Sequence, residues 1–429
     1  MNIKFRLILM NFMQFFIWGA WLITIGAYWF QNKGWSGAQF GAIFSTMGIS
    51  AIFMPAITGI ISDKLINAEK LYGIMHILGA MVLFSIPMVT NPTAFFWVIL
   101  LNMVFYMPTL SLSITVAYSA LKATGKDVVK DYPPIRIWGT IGFIAALWVV
   151  SLTHNETSAN QFYIASAVSL ALGIYSFTLP KCPPLLNKKT ETSLKAKLGL
   201  NAFELFKMPK FAIFFAFSML LGAALQLTNA YGDTYIHDFK NVAAYKDLLA
   251  VKYPAIIMSI SQVSETLFIL AIPFFLRKFG IKYVMLISML AWVLRFGLFA
   301  FADPDSGLWM IILSCIVYGM AFDFFNISGS LFVETLAPAE IRGSAQGMFM
   351  MMVNGFGAFF GSIISGAVIQ HFFTYADQSK NWHGIWLSFA GYALVIAVIF
   401  PLVFRYKDTT MQNTSLADLH GAGSTDPAV

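Results

Sequence analysis

Two carboxylates sit inside long apolar runs. Glu265 lies in IIMSISQVSETLFILAIPFF and Asp323 in WMIILSCIVYGMAFDFFNISGSLF. Each run is long enough to cross a bilayer, which takes about 20 mostly apolar residues. A charge near the membrane centre costs roughly 2.5–3.5 kcal/mol on insertion scales, so such residues usually face a bundle interior or a water-filled cavity and often carry protons or ligands. Glu265 and Asp323 are read as the only clear acids inside the apolar spans. Polar partners stand three residues apart in three of these runs: Gln226 with Asn229, Gln262 with Glu265, and Asp323 with Asn326. That spacing puts both members of a pair on one helical face. Any one pair reads equally as hydrogen-bonding glue between membrane helices. Three pairs with two acids read better as the lining of a cavity.

Aromatic residues accompany them. Tyr318 and Phe322 lie one turn apart, and Trp138 and Phe143 lie in an earlier span. Each alone is ordinary packing; beside amides and carboxylates, an aromatic face suits a flat heterocycle that carries hydroxyl groups. The segment DYPPIRIWGT opens that earlier span, and its prolines suit a helix start. Arg136 and Thr140 then share a face at spacing four. Arg136 is either an arginine snorkelling to the interface or a cavity arginine that meets substrate or an acid of the other half. Arg295, inside another span, is assigned a structural ion pair.

The elements that position these residues follow from composition. The 429 residues are 58% hydrophobic and 11% charged, the balance of a polytopic membrane protein. Twelve apolar spans are expected, near 7–30, 39–61, 71–89, 95–118, 135–152, 160–180, 211–235, 253–275, 283–302, 308–332, 344–372 and 384–404. In lipid the backbone must satisfy its own hydrogen bonds, so the spans are helices. The first run is too long for a signal-peptide core and reads as a retained helix. A basic stretch, 181–210, separates two sets of six, and the polar residues 405–429 form a tail. The organisation is therefore 1–180, a six-helix half; 181–210, a linker; 211–404, a second half; and the tail. Twenty Lys and Arg fall in loops on the side of the termini and linker, against five on the other. This sets both termini and the linker in the cytoplasm and accounts for the net charge of +7 without nucleic acid. Cys182 and Cys315 are far apart, and the six histidines are scattered, with only His76 and His371 assigned to spans. Neither set forms a metal or catalytic signature, so no metal, no cofactor and no enzyme activity is expected.

Six plus six helices around a cytoplasmic linker resembles the major facilitator fold, whose halves are related by an axis along the membrane normal. Gly59-Ile-Ile-Ser-Asp63-Lys64 resembles the superfamily's G-x-x-x-D-[RK] signature. There the acid, here Asp63, ends the second helix near the start of the eleventh, where a helix N-terminus favours negative charge and gates the conformational change. The matching stretch of the second half, 275–280, lacks the acid. Span 11 carries Gly343, Gly347, Gly357 and Gly361, in pairs at a spacing that lets helices approach.

Long strings carry a closer resemblance: YPPIRIWGTIGFI, SMLLGAALQLTN, IIMSISQVSETLFIL, YGMAFDFFNISGS and SAQGMFMMMVNGFG. Through them the chain resembles the bacterial nucleoside:proton symporters of the major facilitator superfamily. The resemblance implies uptake of nucleosides across the inner membrane, driven by the proton gradient, by a chain expected to be a monomer. It also implies that substrate is bound by Arg136, Thr140, Phe143, Gln226, Asn229, Gln262, Glu265, Tyr318, Phe322 and Asp323. Amides would pair with ribose hydroxyls, carboxylates would accept from them, and Phe143 or Phe322 would stack the base. Burial disfavours the charged form of a carboxylate, so Glu265 or Asp323 is expected to carry the proton. The nearest alternative is a proton-coupled symporter of sugars or other small polar solutes. A membrane enzyme and a non-transporting sensor are the others.

Overall fold

The computed structural model describes residues 2–126, 128–184, 200–338 and 341–406. It is helical throughout the described residues, apart from one isolated β-bridge between Thr374 and Lys380. The helices are α1 (Ile3–Gly19), α2 (Gly37–Lys64), α3 (Ala68–Ser85), α4 (Pro92–Ala123), α5 (Val128–Leu152), α6 (Asn160–Ser176) and α7 (Pro209–Asp238). Helix Pro254–Phe301 breaks at Gly280, whose φ of 76° is the left-handed region that glycine tolerates, and this makes two arms, α8 (254–279) and α9 (281–301). Then come α10 (Leu308–Leu336), α11 (Arg342–Met350, continued by a π-helical turn Met351–Gly357 and by Ala358–Phe372) and α12 (Trp382–Val403).

Nine helices of the described residues are long and apolar enough to cross a membrane. One of them is the helix that breaks at Gly280, and α1 and α6 add two shorter apolar helices, so the twelve expected spans are all present. Local chemistry sets several of their ends. Pro92 opens α4 behind Asn91, whose side chain accepts the Ala94 N–H at 2.8 Å. Asn381 caps α12 in the same way through Gly384.

The first span departs from expectation. It is not one helix over 7–30: α1 stops at Gly19, turns follow through Thr24, and the chain resumes as Ile25–Ala27 and a π-helical turn Tyr28–Asn32. Hydropathy alone hides this break, because the turn residues are themselves buried: Trp21, Leu22 and Ile23 are at most 5% exposed. Thr24 donates a hydrogen bond to Gln161 of α6 at 2.9 Å, which anchors the irregular backbone inside protein, where such backbone is tolerated at membrane depth.

The two sets of helices meet along a seam at the end opposite the chain termini. An ideal Cβ on Gly41 of α2 would lie 2.3 Å from the Ser362 carbonyl oxygen of α11, and one on Gly48 would lie 2.5 Å from the Gly355 oxygen. Gly26 meets Thr234 of α7 as closely. On the other side of the bundle Trp148 of α5 donates to the Ser259 hydroxyl of α8 at 2.9 Å. Beyond the helix ends His154 stacks on Tyr253, and Lys380 sits 3.9 Å from the Phe30 ring centroid.

Of the span 11 glycines, Gly357 and Gly361 do admit a neighbour, packing on Met219 and Ala223 of α7. Gly347 meets nothing within 4 Å, and the surroundings of Gly343 lie outside the described residues. Asp63 falls in the last turn of α2; its side chain also lies outside the described residues, as do 185–199 of the linker and 407–429 of the tail.

Candidate substrate and proton site

Helix α10 carries Tyr318, Phe322, Asp323 and Asn326, and its neighbours hold it in register. Gly319 lets the α8 backbone come so close that a Cβ there would stand 2.6 Å from the Ser264 carbonyl carbon and 2.7 Å from the Glu265 nitrogen. Hydroxyl bonds reinforce the contact: Ser264 donates to the Ile316 carbonyl, and Ser288 of α9 donates to the Ala321 carbonyl. Glu265 is thereby set beside Tyr318. Tyr318 and Phe322 lie nearly parallel, with centroids 5.9 Å apart and planes 9° apart.

Arg295 backs this aromatic pair. It is wholly buried, its guanidinium carbon lies 4.7 Å from the Tyr318 centroid and 5.2 Å from that of Phe299, and one Nη donates to the Ser314 carbonyl at 2.5 Å. Among the described residues no carboxylate lies within salt-bridge distance of it, so the ion pair expected for Arg295 is replaced by aromatic faces and a carbonyl. Cation–π attraction strengthens when the cation is desolvated, which is why a buried arginine is tolerated here without an acid.

Asp323 is 5% exposed and Glu265 is half-buried. The two are near enough for their charges to interact. Arg136, from the other half, is within electrostatic range of Glu265, and its guanidinium lies 4.0 Å from the Phe15 ring centroid. One oxygen each of Asp323, Asn326 and Gln226 is buried with no hydrogen-bond partner. Buried acceptors are nearly always satisfied, so these three oxygens are open to the donors of a polar ligand. Phe322 and Asn326 line a small cavity with Leu221, Leu225 and Trp292.

The remaining expected residues are placed less closely. Thr140, Asn229 and Gln262 are half-buried, and none has a side-chain hydrogen bond among the described residues. Phe143 is buried, and its backbone is met by Gly19 of α1 at 2.5 Å from an ideal Cβ. Trp138 is 41% exposed and makes no ring contact with the others. The placement of Phe322 gives a direct test. Truncation in Phe322→Ala should weaken nucleoside binding about tenfold, in the range of a stacked base, whereas Phe322→Tyr should hold near-native affinity; equal affinities by titration calorimetry would remove stacking from the site.

Two features escaped the sequence reading. Asp233, in α7, is a further acid within a membrane helix and is wholly buried, which corrects the view that Glu265 and Asp323 stand alone. It lies near the end of its span, where the drift into polar sequence masked it. In the first half, Gln14 joins Tyr72, His76 and Thr109 in a buried network: its amide donates to Thr109 at 2.9 Å and its oxygen accepts from Tyr72 at 2.6 Å. Its signal was a lone Gln in the first apolar run.

A family model for the nucleoside H+ symporters matches residues 1–409. The chain belongs to the nucleoside H+ symporter family. Among curated members, the xanthosine permease of Escherichia coli (strain K12) is 54% identical over 408 residues, covering 95% of this chain and 97% of the relative. The nucleoside permease NupG of the same organism is 51% identical with the same coverage. The crystal structure of the nucleoside transporter NupG (D323A mutant) superposes with a TM-score of 0.91 at 51% identity, over 94% of this chain and all of that one. A bacterial homologue of the human lysosomal transporter Spinster, 11% identical with a TM-score of 0.69, shares the fold alone. The symporter family membership thus bears out the expected all-α major facilitator fold of twelve helices in two halves, and it places this chain among transporters rather than enzymes.

Proposed function

We propose that this symporter carries nucleosides inward across the bacterial cytoplasmic membrane together with protons, by alternating access to a central site between 1–180 and 211–404. The 181–210 linker, both termini and the 405–429 tail lie in the cytoplasm, and the seam opposite the termini faces outward. The observation that carries the reading is the family match over residues 1–409, with xanthosine and nucleoside permeases as relatives at 54% and 51% identity. The site chemistry supports it. Open amide and carboxylate oxygens suit ribose hydroxyls, the Tyr318 and Phe322 pair suits a flat base, and Arg136 faces Glu265 from the opposite half.

In this reading Gln226, Asn229 and Gln262 bind the sugar, Phe143 or Phe322 stacks the base, and Arg136 with Thr140 completes the pocket. Glu265 or Asp323 takes the proton, with no cofactor needed, and Asp63 acts in gating. The chain works as a monomer in the bilayer. The test is uptake of labelled nucleosides by cells expressing the chain, with disaccharides as competitors. Concentrative uptake that collapses on adding a protonophore and ignores disaccharides is expected. Uptake that survives the protonophore would refute the coupling.

A further inference from the structure

The seam opposite the termini holds three ionisable groups outside the central site. Glu156 lies in the turn between α5 and α6, while Asp233 and His237 lie one turn apart on α7. All three are buried, with Asp233 and His237 wholly so. His237 Nε2 lies 2.7 Å from Glu156 Oε2 and 3.6 Å from Asp233 Oδ2. Glu156 thus reaches across from one half to the other, and its second oxygen accepts the Ala255 N–H at the start of α8, at 3.2 Å.

The donors are close enough together to suggest a metal, but the histidine is wired for another task. Lys240 Nζ stands 3.0 Å from His237 Nδ1. Lysine only donates, so Nδ1 accepts and the neutral ring carries its hydrogen on Nε2, the atom a metal would need. The nearer carboxylate oxygen to that Nε2 is Glu156 Oε2, at 2.7 Å. A second hydrogen, on Nδ1, would face the Lys240 ammonium.

Glu156 is well served as an anion. Burial pushes its carboxyl up, but the His237 contact, the Ser151 hydroxyl and the Ala255 N–H outweigh that and hold it below the usual carboxylate range. Asp233 is not served: neither of its oxygens has a hydrogen-bond partner. A second buried carboxylate anion beside Glu156, with only Lys240 as cation, would be desolvated without compensation. One proton on Asp233 removes that charge. The nearby charged groups do not supply an alternative. Asp238 pairs with Lys380 at 3.8 Å on the loop before α12, and His154 stacks on Tyr253 beyond the helix ends.

We propose that Asp233, framed by Glu156 and His237, is a second proton-binding site of this symporter, and that the proton bound there holds the outer face shut. It rests on the alternating-access reading. The sign follows from the two states. In the closed seam Asp233 is protonated; when the halves part, water reaches it and it ionises in the ordinary carboxylate range. Closing therefore takes up a proton, so acid on the outer side favours closure, by up to about tenfold per pH unit. The site is distinct from Glu265 and Asp323 and would let an outer proton complete the inward stroke.

The test uses the full chain in lipid nanodiscs with nitroxide labels at Thr153→Cys and Ala376→Cys, exposed positions on either side of the seam; both native cysteines are buried. Pulsed electron–electron distances should show the short, closed population growing from about pH 8 to about pH 5.5, the range over which such switches work. Asp233→Asn, which mimics the protonated acid, should stay short throughout. Lys240→Met, at an exposed residue that leaves the seam intact, should move the midpoint to higher pH, because a cation that opposed the proton is gone. A pH response preserved in Asp233→Asn but lost in Glu265→Gln/Asp323→Asn assigns the titration to the central acids and overturns the proposal. Two distances that interconvert with nucleoside but ignore pH overturn it while leaving alternating access standing. A single distance under every condition overturns both.

Discussion

Glu265→Gln and Asp323→Asn should each abolish concentrative nucleoside uptake, taking the accumulation ratio from well above one to one. Both changes keep the shape and remove the titratable proton. Asp323→Asn leaves no stranded ion, because Asp323 has a partnerless buried oxygen, and in Glu265→Gln the Arg136 guanidinium keeps its place on the Phe15 ring. The two variants should then part company in counterflow, where nucleoside exchanges without net proton movement. The variant at the proton carrier should keep exchange, because a neutral amide imitates the loaded acid. The variant at a ribose contact should lose it, because charge-assisted hydrogen bonds are about twice as strong as neutral ones. Both variants still concentrating labelled uridine would put the coupling elsewhere, and Asp233 would be the first place to look.

Gly41→Ala should depress transport at least fivefold by wedging the outer seam. The new Cβ would stand 2.3 Å from the Ser362 oxygen and 2.8 Å from the Gly366 Cα. Both are backbone, so no side chain swings aside, and α2 and α11 must separate. Overpacking of this sort costs about 1–3 kcal/mol, which is about 5- to 150-fold in a two-state equilibrium. The spin-label pair across the seam should report the longer distance as the major one. Gly347→Ala is the matched control, since nothing lies within 4 Å of its Cβ position, and it should transport as the parent does. Equal uptake by the two variants would show that the Gly41 contact is not part of the cycle.

These glycines mark where sequence reasoning reached its limit. Span 11 announced itself through four glycines in pairs, yet of the three whose surroundings are described only Gly357 and Gly361 carry a close helix contact. Gly41 and Gly48, which do, lie on α2, and their partners Ser362 and Gly355 lie more than 300 positions away. A spacing rule reads one helix at a time and cannot see a partner on another. The twelve spans were legible because hydrophobic length is a property of a single segment, and Gly280 was not needed to separate α8 from α9 once Arg277, Lys278 and Lys282 had marked the loop. The break after Gly19 was invisible for the same reason in reverse: its residues are apolar and buried, like the helices on either side. Glu265 and Asp323 stood out because charge is improbable in such runs. Arg295 was visible too, but its aromatic counterpart was not, since acids are the partners that sequence leads one to seek.

Helices α8, α9 and α10 are tied to one another by Gly319, the Ser264 and Ser288 hydroxyls and the Arg295–Ser314 bond. Under the rocking motion proposed above, that makes the distance between Glu265 and Asp323 a constant of the cycle, while the distance from either to Arg136 is a variable. The two acids then behave as a fixed charge pattern, and the first half brings a counter-charge up to it and takes it away. Ligand occupancy and protonation are read out as the work of moving one arginine through a field. Changing the spacing within the slab alters what is bound; changing Arg136 alters how fast the halves exchange.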